Sequence, residues 1–142
     1  MKLVRHVLQS KGSSVVSVAP STSVLDAIKL MAEKGIGALV VMDGAKLAGI
    51  VTERDYARKV ILKDRSSHNT PVSEIMSDEV FTAALDDSVD YCMNTMTDRR
   101  IRHLPVVSGG KVAGMISIGD LVKAVIADQQ EAIEQLEHYI TG

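Results

Sequence analysis

The chain repeats itself at an offset of 65 residues. The heptapeptide Gly-Ile-Val-Thr-Glu-Arg-Asp at 49–55 returns as Gly-Met-Ile-Ser-Ile-Gly-Asp at 114–120, with 114 − 49 = 65 and 120 − 55 = 65. Residues 15–55 overlay residues 80–120 without a gap. Val15/Val80, Ser23/Ser88, Val24/Val89, Met31/Met96, Ile36/Ile101, Leu39/Leu104, Val41/Val106, Gly44/Gly109 and Lys46/Lys111 coincide. Two copies cannot make a solenoid, which needs three or more units to bury a continuous core. The expectation is therefore two pseudo-symmetric halves, each folded the same way.

The pattern of each copy reads as β-α-β-β-α. Leu3, Val4, Val7 and Leu8 fall at helical spacing and predict a short amphipathic opening helix, ended by Lys11-Gly12-Ser13-Ser14. A β-branched strand at Val15–Val18 is closed by Pro20. Ser21 or Thr22 can cap a helix striped by Val24, Ala27, Ile28 and Met31, which Gly35 stops. Ala38–Met42 reads as a strand buried on both faces, Asp43-Gly44 as the hairpin turn and Leu47–Val51 as the return. Thr52 then starts a helix through Tyr56, Val60 and Ile61. The second copy predicts a helix at Val72–Met76, a strand near Val80–Ala83 and a helix from Ser88 to Arg99. Strands at His103–Val107 and Val112–Ser117 follow, with Gly109-Gly110 at their turn, and then a final helix. The fold class is α/β. The expected divisions are a first repeat over 1–63, a polar linker over 64–71, a second repeat over 72–128 and a helical extension over 129–142.

The last helix keeps an apolar stripe, Val122, Val125, Ile126, Ile133, Leu136 and Ile140, beyond the length the first copy uses. Val122, Val125 and Ile126 are expected against the chain's own repeats. The overhang must bury itself on something, and a second subunit is the simplest candidate, so a homodimer is expected.

Composition narrows the function classes. A net charge of −2 argues against nucleic acid or an anionic membrane as the main partner. Aromatics make up 3%, so the core must be aliphatic and methionine-rich. The single Cys92 excludes an intrachain disulfide and fits a reducing compartment. No apolar run approaches a membrane span, and the N-terminus lacks the apolar core of a signal peptide. A soluble cytoplasmic protein is expected.

A strand leading into Thr/Ser-x-x-Asp has two readings. In one the hydroxyl and carboxylate form a capping box that satisfies orphan N–H groups. In the other the hydroxyl and helix start meet phosphate while the carboxylate takes ribose hydroxyls. Duplication at one offset favours the second, since internal repeats build sites by symmetry. Arg54, Arg58 and Lys59, on the first turns after Thr52, read as a solvated face, or Arg54 and Arg58 as a polyphosphate contact. Basic Arg102 and His103 suit phosphate. No histidine pair has metal-ligand spacing, so no metal is expected. Cys92 reads as a core thiol, with no base to activate it. Gly35-x-Gly37 precedes a strand and lacks a third glycine, so it is no dinucleotide fingerprint. There is no P-loop and no nucleophile–base pair.

The duplicated unit, the two heptapeptides and Arg-His-Leu-Pro-Val-Val at 102–107 resemble a tandem pair of CBS (cystathionine-β-synthase) domains, a Bateman module. The resemblance covers nearly the whole chain and implies a stand-alone module. It implies binding of adenine nucleotides such as AMP, ATP, NAD or S-adenosylmethionine in clefts between the repeats, as an energy or ligand sensor in signal transduction. It also implies dimerisation and no turnover. Carried over, the phosphate-contacting hydroxyls would be Thr52 and Ser117, and the ribose carboxylates Asp55 and Asp120. The adenine slots would be Ser17, Val18 and Ala19 with Ile36, Gly37 and Ala38, and Thr82, Ala83 and Ala84 with Ile101, Arg102 and His103. The rival reading is an oligomerisation or docking module for an unknown regulated protein, with vestigial nucleotide clefts.

Overall fold

The structure is a computed structural model and describes residues 2–141. It divides into two compact units: Val15–Phe81, called here the first half, and the residues up to Ser14 together with those from Thr82 onward, the second half. The opening helix thus folds with the second copy, and residues 64–81 with the first.

In the first half, β1 (Ser17–Val18) runs parallel to β2 (Ala38–Asp43), which pairs antiparallel with β3 (Lys46–Thr52). The helix α2 (Val24–Lys34) crosses from β1 to β2. Ser23 caps it, and not Ser21 or Thr22 as expected: its Oγ accepts the Asp26 N–H at 3.1 Å, and Gly35 closes the helix in the left-handed conformation. The core is aliphatic: Met31, Leu39, Val41, Val51, Val60, Val72 and Ile75 are all buried. Each such side chain contributes roughly 1.5–3 kcal/mol of transfer free energy. After β3 the chain turns into α3 (Glu53–Tyr56), widens into a single π turn at Ala57–Ile61, and later forms one 3-10 turn at Val72–Glu74.

The second half repeats this plan with α4 (Val89–Arg99), β4 (His103–Ser108), β5 (Lys111–Ser117) and α5 (Ile118–Thr141). Ser88 caps α4 on the Tyr91 N–H as Ser23 caps α2, and Arg100 takes the left-handed position that Gly35 takes in the first half. Both hairpins carry a bulge at the same place, Val41/Met42 and Val106/Val107. The opening helix α1 (Val4–Lys11) packs here. Its start bonds to the second half as the 3-10 turn bonds to the first. Val4 N–H donates to Asp87 O and Arg5 N–H to Leu85 O, while Val72 N–H donates to Thr22 O and Ser73 N–H to Pro20 O. The acceptors are related by 87 − 22 = 65 and 85 − 20 = 65. The two covering segments are therefore equivalent at 72 − 4 = 68, and Val4 and Val72 are each fully buried.

Three further expectations need correction. No strand forms at Val80–Ala83. Ala83 makes one bridge to Val106, and then the Asp87 carboxylate takes the Ala84 N–H at 2.8 Å and turns the chain away. The segment Val72–Met76 holds one 3-10 turn and not a helix: the Glu74 and Ile75 N–H groups bond three residues back, to Pro71 O and Val72 O, and the Ser77 N–H then goes to Ile50 O, which ends the turn. The inner face of α5 is Leu121, buried, with Ala124 and Val125 half-buried; Val122 and Ile126 are exposed. One residue of register on a helix is 100° of rotation, so a stripe read by eye can name the wrong edge. Among the described residues no helix is long and apolar enough to cross a membrane.

Candidate functional site

Each half ends its hairpin in the same polar knot. Thr52 is the last residue of β3 and is extended, at φ −127° and ψ 163°, so its side chain can fold back over the following turn. Its Oγ accepts the Asp55 N–H at 3.1 Å. Asp55 Oδ2 in return accepts the Thr52 N–H at 2.9 Å and the Thr52 hydroxyl at 3.0 Å. The second half matches: Asp120 N–H donates to Ser117 Oγ at 3.2 Å, and Ser117 N–H donates to Asp120 Oδ2 at 2.8 Å. The capping-box reading is thus present in both halves. Neither carboxylate is lost to the core, with Asp55 and Asp120 keeping 13% and 18% side-chain exposure.

The start of the preceding strand is drawn to the same place. Ala38 stands opposite Thr52 and His103 opposite Ser117 across their hairpins. Glu53 N–H donates to Gly37 O at 3.1 Å, and Ile118 N–H donates to Arg102 O at 2.9 Å, again 65 residues apart at both ends. The fold therefore gathers Gly37, Ala38, Thr52 and Asp55 in one half, and Arg102, His103, Ser117 and Asp120 in the other. Ile36 is exposed just ahead of the first group, and Ile101 is half-buried ahead of the second. Arg54 is exposed on the first turn of α3.

The remaining slot residues belong to the segment that pairs with the first hairpin strand of each half. Ser17 and Val18 pair with Val40 and Val41 on the edge of β2 that faces away from β3, and Ala19 follows them, exposed. Ala38 and Ala83 are buried. Ala83 also spends its N–H on Pro105 O and its carbonyl on the Val107 N–H. Thr82 and Ala84 are exposed on either side of it.

Two lysines complete the knots; the sequence reading put Lys59 on a solvated face without its carboxylate partner and did not single out Lys11. Lys59 Nζ stands 3.2 Å from Asp55 Oδ1 and donates to Ile75 O at 2.8 Å. Lys11, the last residue of α1, donates to Asp120 Oδ2 at 2.6 Å and to Met115 O at 2.5 Å. Lys59 was findable as an i, i+4 partner of Asp55. Lys11 is 109 residues from Asp120, and nothing local announces it.

The electrostatics follow from these contacts. Burial pushes the Asp120 carboxyl up, but the Lys11 ammonium and the Ser117 N–H and hydroxyl outweigh it and hold the group below its ordinary 3.8. His103 is held below its ordinary 6.5 by burial, and then by the Lys11 and Arg102 cations, against the pull of Asp120. Cys92 is a buried thiol pushed up to about 11 by burial and Asp87, an inert core group. Among the described residues no group of three or more His, Cys, Asp and Glu side chains could hold a metal. What the arrangement offers is a pair of fixed carboxylates beside hydroxyl donors, suited to holding vicinal hydroxyl groups.

Comparison with known proteins matches the chain to the CBS domain family over residues 4–62 and 72–127. It is 41% identical over 98% of its length to the CBS domain-containing protein CBSX3, mitochondrial, of Arabidopsis thaliana, spanning 72% of that protein. Other Arabidopsis relatives are longer, and the chain spans 24% of them. Among solved structures, one of a protein with CBS domains from Burkholderia ambifaria is similar at 56% identity and a TM-score of 0.87, covering 90% of this chain and 96% of that one. The CBS domain pair of protein MJ0100, solved in complex with 5′-methylthioadenosine and S-adenosyl-L-methionine, is similar at 26% identity and a TM-score of 0.80, covering 90% and 98%.

Proposed function

The chain belongs to the CBS domain family, and on that footing we propose that it is a regulatory module binding an adenine nucleotide, AMP, ATP or NAD(H), without chemical turnover. The observation that carries this reading is the polar knot made twice at one offset, Thr52 with Asp55 and Ser117 with Asp120. A carboxylate can accept from two vicinal ribose hydroxyls, and the neighbouring hydroxyl, Arg54, Arg102 and His103 supply partners for phosphate. The adenosine portion common to both MJ0100 ligands supports the same chemical class. The base is assigned to the aliphatic and backbone surface at Ile36, Gly37 and Ala38, and at Ile101 to His103. Such a ligand regulates only through its different affinity for two states of the module.

The second reading, an oligomerisation or docking module with vestigial nucleotide sites, draws on α5. Ile126, Ile133, Leu136, Tyr139 and Ile140 are exposed along it, and Ile140 is 80% exposed. We propose that a second copy of the chain covers this stripe in a homodimer.

A thermal-shift panel of AMP, ADP, ATP, NAD, NADH and S-adenosylmethionine separates the two readings. A ligand at about a hundred times its dissociation constant adds about 2.7 kcal/mol, which is readily seen. A shift with at least one of them supports the sensor reading, and silence across the panel favours docking alone.

A further inference from the structure

We infer that the two half-sites are unequal, that the one at Asp120 fills first, and that the placement of a single lysine ammonium in each half decides it. The inference rests on the adenine-nucleotide reading above and deepens it.

The argument is a count of acceptor positions. A carboxylate oxygen accepts about two hydrogen bonds. Asp120 Oδ2 is filled by the Ser117 N–H and by Lys11 Nζ, and Oδ1 accepts none of the described bonds. Asp120 therefore presents one whole oxygen, with room for two vicinal hydroxyls. Asp55 Oδ2 is likewise filled, by the Thr52 N–H and hydroxyl, but here the ammonium of Lys59 sits on Oδ1. A ribose at Asp55 must share that oxygen with Lys59 or displace it, and Lys59 is held in place by its second bond to Ile75 O.

The difference is written into the repeat. The position equivalent to Lys59 is 59 + 65 = 124, and residue 124 is alanine. The second half has dropped the i, i+4 lysine, and α1 brings Lys11 to the opposite oxygen. Lys11 fixes the carboxylate and leaves its outer oxygen open, so it is a positioning residue for the ligand. Lys59 obstructs its own half-site. The two lysines make the same kind of ion pair with opposite consequences for binding.

Exchanging the residues at 59 and 124 tests this on the full chain. Titration calorimetry with AMP and with adenosine would be run on wild type, Lys59→Ala, Ala124→Lys, Lys11→Met, Asp55→Asn and Asp120→Asn, with the melting temperature of each as a check on folding. Lys59→Ala copies what the second half already carries and so should keep its fold. The wild type is expected to show one tight site per chain, removed by Asp120→Asn and kept by Asp55→Asn. Lys59→Ala should tighten the second site about tenfold, the scale of one charge-assisted hydrogen bond. Ala124→Lys and Lys11→Met should each weaken the tight site by about tenfold. Loss of the tight site in Asp55→Asn, equal sites in wild type, or unchanged binding in both Lys59→Ala and Ala124→Lys overturns the inference while leaving the nucleotide reading standing. Failure of the folded wild type to bind AMP, ATP, NAD or S-adenosylmethionine overturns both.

Discussion

Leu8 rests on Gly114: a Cβ on that glycine would stand 2.8 Å from Leu8 Cδ2. Met76 holds the same post over Gly49 in the other half, where a Cβ would stand 2.6 Å from its Sδ. The glycines are 65 apart and the covering side chains 76 − 8 = 68 apart, the offset that also relates Val72 to Val4. A bare backbone position on the second strand of each hairpin is what lets the covering segment lie flat on the sheet.

The two glycines should nonetheless differ in their tolerance of alanine. At Gly49 the new methyl would also meet the Ser77 carbonyl at 2.7 Å, and that backbone is tied to Ile50 by bonds of 2.9 and 3.0 Å. At Gly114 the nearest atoms all belong to the leucine side chain, which can change rotamer. Gly49→Ala should cost about 3 kcal/mol and Gly114→Ala about 1 kcal/mol, read from urea midpoints. The reverse order would contradict the packing described.

Acid should weaken the protein in two separate windows. His103 has a folded value below 6.5, so the unfolded chain takes up that proton first; its penalty is absent above pH 6.5 and grows as pH falls through it. Asp120 has a folded value below 3.8, so its contribution is whole above 3.8 and is lost as pH falls further. Urea midpoints measured from about pH 7 to about pH 3 should fall in both windows, and His103→Gln should flatten only the upper one. An unchanged upper limb in His103→Gln would remove His103 as its cause.

Removing the chain after Asp128 should disturb assembly. The deleted part carries Ile133, Leu136, Tyr139 and Ile140, all more than half exposed on α5. Light scattering should show the truncated protein shifted toward the monomer, or its melting temperature should fall below that of the full chain by an amount that depends on protein concentration. A variant that keeps both the full-length mass and its melting temperature would assign the stripe to something other than self-association.

The repeat was legible because its buried positions recur without a gap, and so the hairpins, the helix from Ser88, the stripe of the helix before Gly35, and the Thr52–Asp55 and Ser117–Asp120 pairs were readable from spacing alone. The cap of α2 was placed one or two residues too early, at Ser21 or Thr22 instead of Ser23. The expected strand at Val80–Ala83 was misread: the chain meets β4 in an isolated bridge at Ala83, through its N–H and carbonyl, and the Asp87 side chain then turns the chain at Ala84. The association of α1 with the second half was hidden too. Apolar spacing says that Val4, Val7 and Leu8 share a face, but not which sheet that face covers. Lys11 was invisible for the same reason, since its partner lies 109 residues away.

The most direct test of the nucleotide reading is calorimetric titration of AMP, ATP and NAD into the full chain and into the double variant Asp55→Ala/Asp120→Ala, with circular dichroism to establish that the variant is folded. Each Asp→Ala change removes a charged hydrogen-bond acceptor worth about 1.5–3 kcal/mol to its own site. The expected result is a nucleotide that binds the wild type and loses ten- to a hundredfold or more of its affinity, roughly, in the folded double variant. A folded double variant that binds the same nucleotide with unchanged affinity would contradict the reading and leave Asp55 and Asp120 as helix caps.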